Sequence, residues 1–364
     1  MNIREITAHI ESIAPLAYQE LYDNSGLICG NTDAELNSAL ITLDCTEDVL
    51  DEAIVLGCKL IISHHPILFS GLKKLTGANY VERILIKAIK NDVAIYAAHT
   101  NMDNVSTGVN AQIAQKIGLV DTQILSPKSK QLRKLIAFCP VDKAEQVRKA
   151  LFDAGAGRIG NYEDCSFNAE GFGTFKAGKG AQPYVGEIGK VHQEREMKIE
   201  SIYTVDRENV VVEALLKAHP YEEVAYDLIP LANMNSTIGA GLVGHLAEAE
   251  DELSFLKRLK SIMQTDCIRY TNLTGNKIKR VAVCGGSGSF LLPEVIRAKV
   301  DIFITADFKY HQFFDADNKV VIADIGHYES EQFTKQLFYD ILSKKFPIFA
   351  LHLSKINTNP INYI

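Results

Sequence analysis

The sequence predicts an α/β fold: mixed and parallel sheets with helices on their faces, three-layer-like and built from both outer thirds of the chain, with an inserted ferredoxin-like α+β domain. Three observations carry this. Short apolar runs alternate with amphipathic segments over residues 39–117. The same rhythm returns over residues 278–351. Between them, residues 134–231 read strand, helix, strand, strand, helix, strand.

In the first third, ALITLD (39–44) is a buried strand and 47–56 a helix stopped by Gly57. CKLIIS (58–63) is an unbroken apolar run, suited to a strand covered on both faces. An amphipathic helix follows at 80–90, a strand VAIYAA at 93–98 and a helix at 109–117. In the last third, 278–284, VDIFIT (300–305), VVIAD (320–324) and 347–351 are strands, and 290–298 and 329–345 are helices. The two thirds echo each other in GCKLIISHHP and AKVDIFITADFKYH, a weak internal repeat, since buried parallel strands resemble one another.

The middle carries a strand at 134–138, a helix at 143–154, an extended stretch at 165–175 and a Gly/Lys loop at 176–189. A strand at 197–204, a helix at 207–218 and a strand at 224–231 complete it. One core stops growing near about 250–300 residues, so a chain of 364 needs more than one domain. The expected division is 1–129 with 236–364 as one discontinuous α/β domain, and 130–235 as the insert.

A content of 47% hydrophobic and 23% charged residues excludes a disordered chain. No run reaches the ~18 apolar residues of a membrane helix. Charges at Arg4, Glu5 and Glu11 and the lack of an apolar h-region argue against a signal peptide. A net charge of −7 argues against holding a nucleic-acid backbone, without excluding a local site for a phosphorylated small molecule. The seven cysteines are irregularly spaced, with no C-x-x-C pair, and read as reduced, mostly buried thiols of a cytoplasmic protein.

Ligands of open α/β sheets bind at the carboxyl ends of strands. Here those ends carry His64-His65, then His99 and Asp103, then Asp307 with His311 beyond, then His327 and Glu331. Five of the ten histidines therefore crowd one sheet edge, which chance rarely arranges. His327 and Glu331 are four apart, so a helix puts both on one face. Adjacent His64 and His65 on a loop can each serve a different metal. With Asp103 this makes three histidines and two carboxylates, and His99 could be a sixth group. That is too many ligands for one tetrahedral zinc and suits two metals ~3.5–4 Å apart, bridged by a carboxylate. The ligands are brought together only if both outer thirds fold into one sheet.

Weaker signals surround this set. Gly285-Gly286-Ser287-Gly288 lies between strand and helix, as a phosphate cradle or a tight turn. Asp44 is a pocket residue or a helix cap, and Asp307 stands beside the cluster. Asp44, Gly286, Ser287 and Asp307 are the residues expected to meet substrate, and His99 and Glu331 those expected to serve catalysis. HPYEE at 219–223 reads as a turn with exposed acids, and Lys176, Lys179 and Lys190 as a solvated loop.

The chain resembles the GTP cyclohydrolase I type 2 homologue family, also called the Nif-three-like family. The resemblance rests on SHHP (63–66), HTNMD (99–103), CGGSG (284–288), DIFITADFKYH (301–311) and GHYESE (326–331), in order over both outer thirds. It implies two divalent metals per chain, zinc foremost, with iron, manganese or nickel also fitting. His65 and Asp103 would hold one metal, His64 and His327 the other, and Glu331 would bridge, with His99 as a nearby group that supports the ligands or serves as acid–base. It further implies a toroidal homohexamer, a trimer of dimers, and relates the insert to PII and CutA-like domains through HPYEEV. The implied reaction is attack of activated water on C8 of GTP, ring opening and loss of formate. The other readings are a hydrolase of another nucleotide or phosphoester, and a metal-binding regulatory or scaffold hexamer without turnover. Ala306 and Leu242 stand where the family often has glycine and arginine, away from the ligand positions.

Overall fold

The computed structural model describes residues 1–364. The apolar runs become short strands, several buried along their full length. In chain order the outer unit begins with β1 (Gly26–Cys29), β2 (Ser38–Thr42), β3 (Leu60–Ser63), β4 (Ala94–Ala97) and β5 (Leu119–Lys128). The middle holds β6 (Leu132–Pro140), β7 (Phe167–Lys176), β8 (Val191–Thr204) and β9 (Tyr226–Pro230). The outer unit resumes with β10 (Asn235–Asp251), β11 (Arg269–Tyr270), β12 (Lys277–Ser287), β13 (Ile302–Ala306), β14 (Val321–Asp324) and β15 (Ala350–Leu353). By their contacts, residues 1–127 and 236–364 form one unit and residues 128–235 another. No helix is long and apolar enough to cross a membrane.

The outer unit contains two sheets, not one. The first has the order β1-β4-β3-β2-β15, parallel except for β1. The second has the order β11-β14-β13-β12-β10-β5, with β12, β13 and β14 parallel and β10 and β11 antiparallel to their partners. Each outer third lends a strand to the other's sheet: β15 pairs with β2, and β5 lies beside β10. The expectation of one sheet fails because only tertiary pairing decides where these two strands go.

Local signals explain the elements that aim the site. Helix Glu47–Val55 starts at Thr46, whose hydroxyl accepts from the Val49 N–H, and ends before Gly57 at φ +70°. Helix Tyr80–Lys90 is capped in the same way by Asn79. Both pack on the first sheet around Leu40, Ile61 and Ile95. The helix expected over 329–345 is two helices, His327–Glu331 and Thr334–Lys345. Ser330 ties the first to the second sheet by accepting from the Gly286 N–H, and Gln332 turns away to donate to the Met263 carbonyl.

The inserted unit is a four-stranded antiparallel sheet of order β7-β8-β6-β9. Helices Ala144–Asp153 and Glu208–Ala218 bury its core of Leu135, Ala137, Ile199, Val147 and Leu215. Strand, helix, two strands, helix and strand in this order make the ferredoxin-like arrangement. β8 starts six residues before the apolar run, because its polar end pairs with β7 up to Val191↔Lys176.

Candidate metal centre

Strand register brings the polar strand ends level. Thr42 pairs with Ser63 and Ser63 with Ala97, so Asp44, His64, His65 and His99 follow neighbouring strand ends. In the second sheet Ser287 pairs with Ala306 and Thr305 with Asp324, which sets Gly286, Asp307 and His327 side by side. The chain leaves β3 with the N–H groups of both His64 and His65 donating to the Leu43 carbonyl. That curl lets two adjacent side chains converge, with ring centres 4.8 Å apart.

Every imidazole in the cluster is tied back through Nδ1. His64 Nδ1 meets the Ala98 carbonyl at 2.9 Å and His65 Nδ1 meets Asp44 Oδ1 at 2.7 Å. His327 Nδ1 meets Asp307 Oδ2 at 2.6 Å and His99 Nδ1 meets Asp23 Oδ1 at 2.7 Å. With Nδ1 donating, each Nε2 presents a lone pair. This is how proteins orient metal-ligating histidines.

The Nε2 atoms converge on two carboxylates. His65 and His327 lie 3.0 and 3.1 Å from Glu331 Oε2, and 3.3 Å from each other. His64 lies 3.8 Å from Glu331 Oε1 and 3.6 Å from Asp103 Oδ1. The ligand atoms form three groups: His65, His327 and Glu331; His64, Asp103 and Glu331; and His64, His65 and His99. Glu331 thus turns one oxygen toward each of the first two groups. Three buried atoms here have no hydrogen-bond partner: His64 Nε2, Asp103 Oδ1 and Glu331 Oε2. Unpartnered buried polar atoms are costly, and acceptor atoms facing one another fit a cation. The donor set of imidazole and carboxylate suits first-row divalent metals.

The electrostatics match. Burial, with the charge of Glu331, pushes the Asp103 carboxyl well above the usual range. Glu331 is buried too, yet His327, His64 and His65 hold it well below that range. Burial pulls the His65 imidazole down, but Asp44 and Glu331 outweigh it and raise it to about 10. His327 is likewise raised, to about 11, by Glu331 and Asp307. Burial lowers His64, which is fully buried.

The structure redistributes several expected roles. His64, His65, Asp103, His327 and Glu331 do meet, and their ligand atoms group His65 with His327 and Glu331, His64 with Asp103 and Glu331, and His64 with His65 and His99. The His64 ring approaches Glu331 Oε1 and the His65 ring approaches Oε2. Asp44 and Asp307, expected to meet substrate, bond the Nδ1 atoms of His65 and His327. At Gly286 the backbone is already engaged within the chain. The N–H groups of Gly285 and Gly286 already donate to Asn110 and Ser330. Gly286 instead makes room: at φ +59°, a Cβ there would lie 2.5 Å from Glu331 Oε1. Ser287 lines the cavity beside it. Asp23 was not foreseen. It orients His99 and accepts from the Thr100 hydroxyl, in a loop whose sequence has no periodicity to mark it.

The cluster floors a cavity of about 630 Å³. Tyr22, Phe69, Tyr80 and Phe290 stand in its wall, and Phe69 meets the His99 ring at 5.8 Å edge to face. The lining holds no lysine or arginine. Fold and site together define an α/β protein with a histidine–carboxylate cluster able to hold metal ions.

Residues 1–360 match the family described as Duf34/NIF3 (NGG1p interacting factor 3), and the chain belongs to that family. It is 40% identical over 347 residues to a protein of Halalkalibacterium halodurans named GTP cyclohydrolase 1 type 2 homolog, covering 94% of this chain and 93% of that one. A Bacillus subtilis protein of the same name is 35% identical over 370 residues, covering 100% of this chain and 99% of that one. A solved Bacillus cereus protein related to NIF3 superposes with a TM-score of 0.84 at 37% identity, over 100% of this chain and 99% of that one.

Proposed function

We propose that this chain is a metal-dependent hydrolase of a nucleotide-like substrate, with two divalent cations at the cluster, zinc foremost. One observation carries the reading: four imidazoles are tied back through Nδ1, and Glu331 turns one oxygen toward each of two ligand groups. His64 and Asp103 would hold one cation, His65 and His327 the other, with Glu331 between. Cations there supply Lewis acidity, which acidifies water and polarises a substrate oxygen.

The remaining roles belong to the chain's own side chains. His99 offers Nε2 as proton acceptor beside the cluster, and Asp23 steadies the imidazolium that results. Burial would raise the Asp23 carboxyl, but His99 and Thr100 hold it below its usual value, so it stays charged. The aromatic wall suits a planar base, and a cavity of about 630 Å³ is of ligand size. With no lysine or arginine in the wall, phosphates fall to the cations. Turnover of GTP with formate release is the specific reaction that the relatives' names suggest.

We take the insert as a PII/CutA-like module on the strength of its strand order, and the assembly as a cytoplasmic homohexamer whose mass light scattering on the full chain tests. The deciding experiment is elemental analysis of untagged protein paired with a nucleotide hydrolysis screen. Metal at about two equivalents per chain with formate from GTP supports the full reading. Cleavage of another nucleotide or phosphoester keeps the hydrolase and removes GTP. Bound metal without any turnover, and a His64→Ala variant altered only in metal content, would favour a regulatory or scaffold role.

A further inference from the structure

The chain does not end at β15. Residues 354–364 run on without helix or strand, and residues 358–361 form part of the cavity wall. This segment is fastened at several points, three of them carboxylates. The Ser354 hydroxyl donates to Glu52 Oε2 at 2.5 Å and the Lys355 N–H to Glu52 Oε1 at 3.0 Å. The Thr358 hydroxyl donates to Asp44 Oδ2 at 2.5 Å. The Asn359 side-chain amide donates to Glu329 Oε1 at 3.0 Å.

The second and third points bear on the cluster. Asp44 uses its other oxygen, Oδ1, to fix His65. Glu329 lies on the short helix His327–Glu331, between two cluster residues, and is buried. The two anchors therefore reach all three members of one ligand group, His65 through Asp44 and His327 and Glu331 through their helix, with Glu331 shared by the His64/Asp103 group. Nothing in the segment reaches His64 or Asp103, which are held by the Ala98 carbonyl and by helix Thr100–Asp103.

We propose that residues 354–361 are a working wall of the site and that Thr358 is a positioning residue, holding His65 toward Glu331 and His327 through Asp44. The proposal rests on the metal reading above and adds a direction to it. Loss of the Thr358 hydroxyl frees Asp44 Oδ2, lets the carboxylate turn, and loosens one imidazole only. Such outer partners of metal-binding histidines typically change affinity by about 10–100-fold. The effect should fall on the His65/His327 position and spare the His64/Asp103 position.

The test is zinc titration against a chelator of known affinity, on the full-length protein and on Thr358→Val and Thr358→Ser. Valine keeps the shape and removes the donor, and serine restores it. The expected result is two zinc sites in the unaltered chain, one of them about 10–100-fold weaker in Thr358→Val, and recovery in Thr358→Ser. Thermal melting of the metal-free proteins reports on the fold. Two unchanged sites in Thr358→Val would overturn the proposal and leave the metal reading standing. Equal weakening of both sites with earlier melting would make Thr358 structural and also overturn it. No zinc in the unaltered chain would sink the metal reading itself.

Discussion

His65 Nε2 lies 3.3 Å from His327 Nε2, although the two residues are 262 positions apart. Each ring already donates through Nδ1 to an aspartate, so both facing nitrogens carry lone pairs while the rings are neutral. Two lone pairs at this distance repel unless a proton or a cation sits with them. Against burial, Asp44 and Glu331 raise His65 to about 10, and Glu331 and Asp307 raise His327 to about 11, so the carboxylates favour protons on this pair in the metal-free protein.

Cations and protons therefore compete for this pair. At neutral pH the metal-free cluster holds its protons, so metal uptake should release them, and affinity should rise with pH. Calorimetry in buffers of different ionisation enthalpy measures this release directly. The sign for stability runs the other way. Both histidines are raised above 6.5, so their contribution to the metal-free fold is complete below that value and is lost as pH rises through about 10 and 11. Thermal melts of metal-free protein should fall over that range, while metal-loaded protein should resist.

Glu331→Gln keeps the shape and removes the charge that faces both ligand groups. Metal content should drop at both positions together, whereas Asp307→Asn, which loosens only His327, should weaken one position by about 10–100-fold. Elemental analysis after dialysis at graded free zinc separates the two outcomes. Equal content in Glu331→Gln and the unaltered chain would remove Glu331 from the bridging place.

Gly286→Ala tests the space on which the cluster depends. The new methyl would meet Glu331 Oε1 at 2.5 Å, and φ +59° adds backbone strain of order 1–3 kcal/mol. The variant should melt earlier and bind less metal. If Gly286 served phosphate binding instead, its metal content would be unchanged and only substrate affinity would fall.

His99→Gln separates enzyme from binding protein. Loss of a general acid–base group costs about 10²–10⁴-fold in rate. Turnover should fall by that order while metal content stays within error, and Asp23→Asn should follow in the same direction. Activity that ignores both substitutions would take His99 out of the chemistry.

Much of this site is legible in the sequence because burial leaves a plain mark. LIIS, AIYA, IFITA and VIAD are buried along their whole length, so a polar residue directly after such a run must sit at a sheet edge. That places His64, His65, His99, Asp307 and His327, and helical spacing adds Glu331. Asp23 and Thr358 leave no such mark, since both lie in irregular chain, where no period connects a residue to its surroundings. The glycine pair at 285–286 was visible, but its purpose was not. A glycine that admits a carboxylate and one that cradles a phosphate look the same until the neighbour is in place.

Periodicity and burial are local properties of a chain, and they make the buried strands, most helices, the ferredoxin-like insert and the candidate ligand types legible, whereas β1, β5, β10 and β11 emerge only in the fold. Two outcomes belong to packing: the outer thirds form two sheets that exchange β5 and β15, and His65 faces His327 while His64 faces Asp103. Those outcomes depend on which distant strands pair and in which register. Contacts across tens to hundreds of residues are fixed by packing and register, which no short stretch of sequence encodes.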